Sequence, residues 1–209
     1  MKKEKKNIKH LIFHCGNLLN NEKCLILYNN STLNIAKKFY VNAKEVSNYV
    51  KLKKVEPFNF HGGTVNKTIE KLMINSDLII CLTKYSLAQS ISRQRASEKG
   101  ARFLSLPFYD NKVLKDKSLS INFKKKFKIT NKISQLYSKG KQVTIKSSLG
   151  TNLISKINFR KGNCCPGYVK KQGDLGSPPD VEANISPIEN GSNGIIVVDG
   201  SVADPGIGI

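Results

Sequence analysis

The sequence predicts an α/β fold in two parts: an open, doubly wound parallel-sheet domain over residues 1–116, then a β-rich α+β domain over residues 117–209. Three observations carry this prediction. Leu78-Ile79-Ile80-Cys81-Leu82 is a continuous apolar run, the pattern of a parallel strand covered on both faces. Apolar runs and amphipathic stretches alternate through the first half with short joints, as strand–helix–strand units require. Beyond residue 140 the pattern changes to the two-residue alternation of strands with Gly-containing turns.

Taken in order, residues 8–20 read as a short amphipathic helix with Ile8, Leu11, Ile12, Cys15 and Leu19 on one side. His10 and His14 sit four apart there. They lack the Glu that follows the first His in the zincin pattern, so they read as an exposed pair. Lys23 to Tyr28 reads as a strand, and Asn29-Asn30-Ser31-Thr32 caps a helix running to Lys44. A weaker strand over 49–55 leads to a loop with Pro57 and His61-Gly62-Gly63. A second helix over 64–75 buries Val65, Ile69, Leu72 and Met73. After the 78–82 strand, a third helix over 87–99 stops at Gly100, and a strand over 101–106 stops at Pro107. Residues 107–119 are polar and read as a linker. Phe123, Phe127, Ile129, Ile133 and Leu136 mark a Lys-rich helix over 120–138, ended by Gly140. Strands are expected at 142–145 and 149–153, and Ile195-Ile196-Val197-Val198 reads as a buried strand.

Composition narrows the partners. At 209 residues and 39% hydrophobic, the chain has the length and apolar content for a core. It has no run of 18 apolar residues to span a membrane, and the apolar run after the basic N-terminus is too short for a signal peptide. A cytoplasmic protein is therefore expected. Net charge is +20, but residues 172–209 hold six acids and no Lys or Arg, so they carry −6 and the rest +26. The basic residues are mostly Lys, without an Arg cluster interleaved with aromatics. No specific nucleic-acid partner is expected. Cys15, Cys24, Cys81, Cys164 and Cys165 form no CxxC and read as reduced thiols; the vicinal pair Cys164-Cys165 is a weak candidate for a soft metal. No GxGxxG or Walker sequence supports a nucleotide site.

The acidic stretch Gly173–Val202 holds the candidate site residue. Glu182 follows the stiff pair Pro178-Pro179, which restricts the backbone that presents the carboxylate. Five pieces occur in one order: Gly150-Thr151-Asn152-Leu153, Gly173-Asp174-Leu175-Gly176, Pro179-Asp180-Val181-Glu182, Ser186-Pro187 and Gly194 to Ser201. Together with Ala96–Pro107, they resemble the thermophilic metalloprotease family of the leucyl aminopeptidase T type and its relative, the dihydroxypyridine dioxygenase. Val181 and Ala183 stand where that family has Gly and Val, and Asn152 where it often has Asp.

The resemblance implies a metal-dependent aminopeptidase-like hydrolase that cleaves N-terminal residues from peptides. Glu182 would be one ligand of a two-metal centre of zinc, cobalt or manganese, and the second domain the metal-site domain. It also implies a homodimer and a peptide substrate. The family's other ligands lie in a further C-terminal stretch, so a truncated member, inactive by itself, is expected. The alternatives are a ring-cleaving dioxygenase with one non-haem iron, or a non-catalytic accessory protein of the same fold.

Overall fold

A computed structural model describes residues 2–200; Ser201 and Val202, which end the resembling stretch, and Asp204 lie outside the described residues. The chain divides into two units, residues 1–127 with 165–182, and residues 128–164 with 183–209. Residues 117–127 and 165–182, assigned from sequence to the β-rich part, fall in the first unit.

The first unit opens with α1 (Lys2–His10), which runs into a π-helical turn, Leu11–Cys15. The expected helix over 8–20 thus starts six residues earlier and ends at Cys15, and Leu19 is exposed. Gly16 closes the π turn by donating its N–H to the Leu11 carbonyl at 2.8 Å. A Cβ there would meet the Ile12 carbonyl oxygen at 2.8 Å, closer than real side chains approach. Then follow β1 (Cys24–Tyr28), α2 (Leu33–Lys44), β2 (Val50–Lys54), α3 (Lys67–Ile74), β3 (Leu78–Leu82), α4 (Ile91–Glu98) and β4 (Arg102–Ser105). Asn66 and Ser90 begin α3 and α4 as expected of N-caps, each side chain accepting a backbone N–H three residues on.

Every strand pair in this sheet is parallel, in the order β2-β1-β3-β4, and Ile26 pairs with both Leu52 and Ile80. Side chains alternate between the faces, so one β1 strand feeds two cores. Cys24 and Ile26 pack with Ile8, Ile12 and Phe39 under α1 and α2. Leu25 and Leu27 pack with Ile69, Met73 and Phe103 under α3 and α4. The doubly wound parallel sheet expected from the apolar runs is what the chain forms. At its amino edge Arg102 donates to both Glu22 carboxylate oxygens, at 2.8 and 2.7 Å, and both side chains are largely buried.

Residues 107–119 are not a linker. They form two 3-10 turns, Val113–Lys115 and Lys117–Ser120, whose Leu114 and Leu119 are fully buried in the α1–α2 core. The buried Asn7 of α1 ties this segment down: its amide donates to the Leu114 and Asp116 carbonyls, and its oxygen accepts from Ser120.

Helix α5 (Phe123–Lys139) begins in the first unit and continues into the second. There β5 (Gln142–Lys146) and β6 (Asn152–Lys156) form an antiparallel hairpin. Beyond come β7 (Asn163–Cys165), β8 (Leu175–Gly176), β9 (Glu182–Asn184) and β10 (Ser192–Ile195). Strand β8 belongs to the first unit and extends the parallel sheet beside β4, while β10 pairs antiparallel with β6 and β7 pairs with β9. The expected buried strand at 195–198 is corrected: β10 ends at Ile195, and Ile195 through Val198 are all exposed.

Candidate functional site

In an open parallel sheet, binding groups gather beyond the carboxyl ends of the strands where the strand order reverses, here between β1 and β3. Asn29 stands just past β1. Its amide donates to the Val55 carbonyl after β2, and its oxygen accepts the Lys84 N–H after β3, so one side chain staples three strand ends. Beside it the hydroxyls of Ser86 and Ser105 lie 2.8 Å apart, and Ser177, after β8, donates to the Ser105 carbonyl at 3.1 Å. His61, Tyr85 and Phe108 form a ring cluster with centroids 5.6–5.8 Å apart. His61 Nδ1 accepts the Ser86 N–H at 3.2 Å.

The segment after β4 and the segment after β8 line a cavity of about 510 Å³ at this edge, with Phe108, Tyr109, Lys112, Ser177, Pro178 and Asp180 in its wall. The Tyr109 hydroxyl donates to the Pro178 carbonyl at 2.5 Å, and the Asp180 N–H donates to the Ser177 carbonyl at 2.9 Å, closing a turn. The Pro178-Pro179 bond is cis. Gly167, at φ +71°, lets this turn close. A Cβ there would lie 2.6 Å from the Phe123 ring and 2.7 Å from the Asp180 carbonyl oxygen.

Burial of the Tyr109 hydroxyl drives its pKa far above the usual tyrosine value, so it stays a neutral donor at all ordinary pH. Asp180 is raised as well, first by desolvation and then by the negative charge of Glu182, with the Ser177 hydroxyl opposing both. Glu182 itself opens β9 and is exposed. The lining of the cavity reaches Asp180 and does not include Glu182.

The other candidates from sequence scatter. His10 and His14 belong to α1 and its π turn, and His61 to the carboxyl edge. Cys164 and Cys165 are half-buried, with the Cys164 sulfur 3.3 Å from the Thr130 hydroxyl. Cys15, Cys24 and Cys81 are buried core thiols, and burial pushes Cys15 and Cys24 up to about 12. A metal centre of the kind the resemblance implies needs at least three donors. Among the described residues no group of three or more His, Cys, Asp or Glu comes together, and Asp180 with Glu182 amounts to two carboxylates. The described residues do not by themselves fit a metal. The cavity wall drawn from 107–116 was missed in the sequence, where Leu114 is the segment's one leucine and no periodic pattern marks it.

Three comparisons bear on this arrangement. The family model described as NicX, 2,5-dihydroxypyridine 5,6-dioxygenase, matches residues 31–203. The solved 2,5-dihydroxypyridine dioxygenase from Pseudomonas putida KT2440 is similar in fold, with a TM-score of 0.72 at 13% identity over 91% of this chain and 57% of that one. AmpT from Thermus thermophilus is similar with a TM-score of 0.62 at 9% identity over 92% of this chain and 64% of that one. The chain therefore spans 57% and 64% of the lengths of these two proteins. A search of curated proteins found no match. At these identities the structural likenesses speak to the fold, while the family match covers most of the sequence: the chain belongs to the 2,5-dihydroxypyridine 5,6-dioxygenase (NicX) family.

Proposed function

We propose that the chain is part of a metal-dependent oxygenase that acts on a small hydroxylated nitrogen-containing ring, of the dihydroxypyridine type. The observation that carries this reading is the family match over residues 31–203. It supports the ring-cleaving alternative better than the aminopeptidase reading, which rests on the fold likeness to AmpT. The cavity wall suits such a ligand. The half-exposed Phe108 ring offers a stacking face, the Lys112 ammonium a partner for a ring hydroxyl that has lost its proton, and Asp180 an acceptor. Glu182 is our proposed metal donor from this chain, with the remaining donors outside the described residues.

The test is equilibrium binding of 2,5-dihydroxypyridine to the whole chain, with leucinamide as the competitor and oxygen uptake followed after Fe(II) is added. Saturable binding of the ring compound, weakened about fivefold by Phe108→Ala through loss of roughly 1 kcal/mol of ring stacking, is expected. Displacement by leucinamide, or release of leucine from a leucyl anilide without oxygen uptake, would favour the peptidase.

A further inference from the structure

The histidines of α1 were expected to be an exposed pair, and they are not. Their rings stack face to face, with centroids 4.5 Å apart and an interplanar angle of 16°, and Phe123 lies 5.9 and 6.2 Å from the two of them. Tyr168 closes the side of His14 at 6.4 Å. Both Nε2 atoms are buried and without a hydrogen-bond partner. A buried ring nitrogen with nothing to bond is costly, and two side by side call for a reason. They border a cavity of about 270 Å³ whose wall also includes Lys6, Phe13 and Ser120.

We propose that His10 and His14, with Lys6 and Lys124, form a binding site for a tetrahedral oxyanion, either a free ion or the phosphate group of a larger molecule. This site is independent of the ring-binding edge.

The choice of an anion over a metal ion follows from the charges. The lining contains no carboxylate. Lys6 acts electrostatically on His10, and Lys124 on His14. Neither lysine is in an ion pair among the described residues, whereas the Lys9 ammonium is spent on Glu45 of the α2 end at 2.5 Å. Asn7 is saturated by its bonds to Leu114, Asp116 and Ser120. The groups with unspent capacity are thus two imidazole nitrogens and two ammonium groups, all able to donate and none anionic. A divalent cation would be repelled by the lysines, while an oxyanion would give both imidazole nitrogens and the Lys6 ammonium an acceptor, with the Lys124 charge adding attraction.

The state without ligand fits the same picture. Burial holds both imidazoles below the usual histidine value; Lys6 adds to this at His10 against a bond to the Ile121 backbone, and His10 and Lys124 add to it at His14. An anion removes that penalty, so binding takes up protons and tightens as pH falls.

Sulfate is the probe, because it stays a dianion across the range where imidazole titrates. Imidazole resonances of the whole chain are followed by NMR during sulfate titrations at several pH values. His10 and His14 should shift together and saturably, with affinity falling by up to tenfold per pH unit above the imidazole titration for each proton taken up. Lys6→Gln should weaken binding several-fold, and His14→Gln should flatten its pH dependence with an unchanged far-UV circular dichroism spectrum. Glycerol phosphate binding as tightly as sulfate identifies the phosphate of a larger molecule; its exclusion while sulfate binds identifies the free ion. Shifts no larger than those of His61, which lies outside the pocket, would overturn the proposal. So would pH-independent binding, or zinc binding at the pair where sulfate does not.

Discussion

The two units of the chain bury their apolar side chains very differently. In the first, β3 and β4 are buried at every residue, and each sheet face meets its own helices. In the second, Ile157 is the one large apolar side chain that is fully buried among the described residues. Ile129, Ile133 and Leu136 form a stripe at helical spacing along α5, yet they are exposed by 59%, 38% and 61%. The same periodicity argument applies to both units. It identifies the side chains that favour burial, and leaves open what covers them. Cover comes from tertiary partners, which the parallel sheet has and the second unit lacks among the described residues.

The largest expected effect lies in the packed unit. Phe103 sits at 0% exposure in the α3–α4 core. Phe103→Ala should therefore cost about 3–5 kcal/mol, read as the loss of denaturant resistance of the β1–β3 amides in hydrogen exchange. A cost below about 1 kcal/mol would break the contrast between the units.

Next in size is the buried ion pair at the amino edge. Burial works to raise Glu22, but the bonds from Arg102 and from the Leu19 amide, with the Arg102 charge, hold it below the usual carboxylate range. Arg102→Leu leaves Glu22 with the Leu19 amide alone and should cost about 3 kcal/mol near neutral pH. The sign follows from linkage. A depressed folded-state value stabilises above the unfolded value, and that contribution is lost as pH falls through the folded one. The wild type should weaken on acidification in that window, and Arg102→Leu should weaken less, in urea titrations at stepped pH. A pH profile unchanged by the substitution would show that Glu22 is not held by Arg102.

These two predictions sit where the sequence was most legible. Strands β1 and β3 could be read because each is a short, nearly unbroken apolar run, the pattern of a strand covered on both faces, and β4 because Phe103-Leu104 lies between the stops at Gly100 and Pro107. Segment 107–119 could not, because Val113-Leu114 and Leu119 are short apolar interruptions among Lys and Asp, and 3-10 turns have no long period to detect. Strand β8 is two residues long and is placed by β4, not by its own pattern. Ile195–Val198 misled for the converse reason: a continuous apolar run implies burial only if something lies on both sides. For the candidate site, Glu182 and the Pro178-Pro179 pair were visible as chemistry, whereas Tyr109, Lys112 and the stacked histidines depend on segments meeting across more than sixty positions of sequence or on the rotation of rings.

A smaller effect sharpens the electrostatics of the first unit. Because the Glu182 charge helps to raise Asp180, Glu182→Gln should lower the Asp180 value toward that of an ordinary carboxylate. Desolvation, the larger cause, stays in place, so Asp180 should remain somewhat raised. Carboxyl carbon NMR titration of Asp180 in the two proteins reads this directly. An unmoved Asp180 would separate the two carboxylates, and with them the idea that residues 180–182 act as one anionic segment.

The smallest expected effect belongs to the α5 stripe. Leu136 is 61% exposed, so replacing it with Ser removes little apolar area that folding had taken from water. Leu136→Ser should change stability by no more than about 0.5 kcal/mol, in contrast to Leu114→Ser in the first unit, where a hydroxyl would enter the α1–α2 core. The same change should reduce the fluorescence of a dye that binds exposed apolar surface, since the stripe of Ile129, Ile133 and Leu136 is interrupted at one end. The two readouts separate two meanings of the contrast. If stability holds while dye binding falls, the stripe is wet and the units differ in packing. If Leu136→Ser instead costs about 2 kcal/mol or more, a second surface covers this face in solution, and the units differ in where their partner comes from.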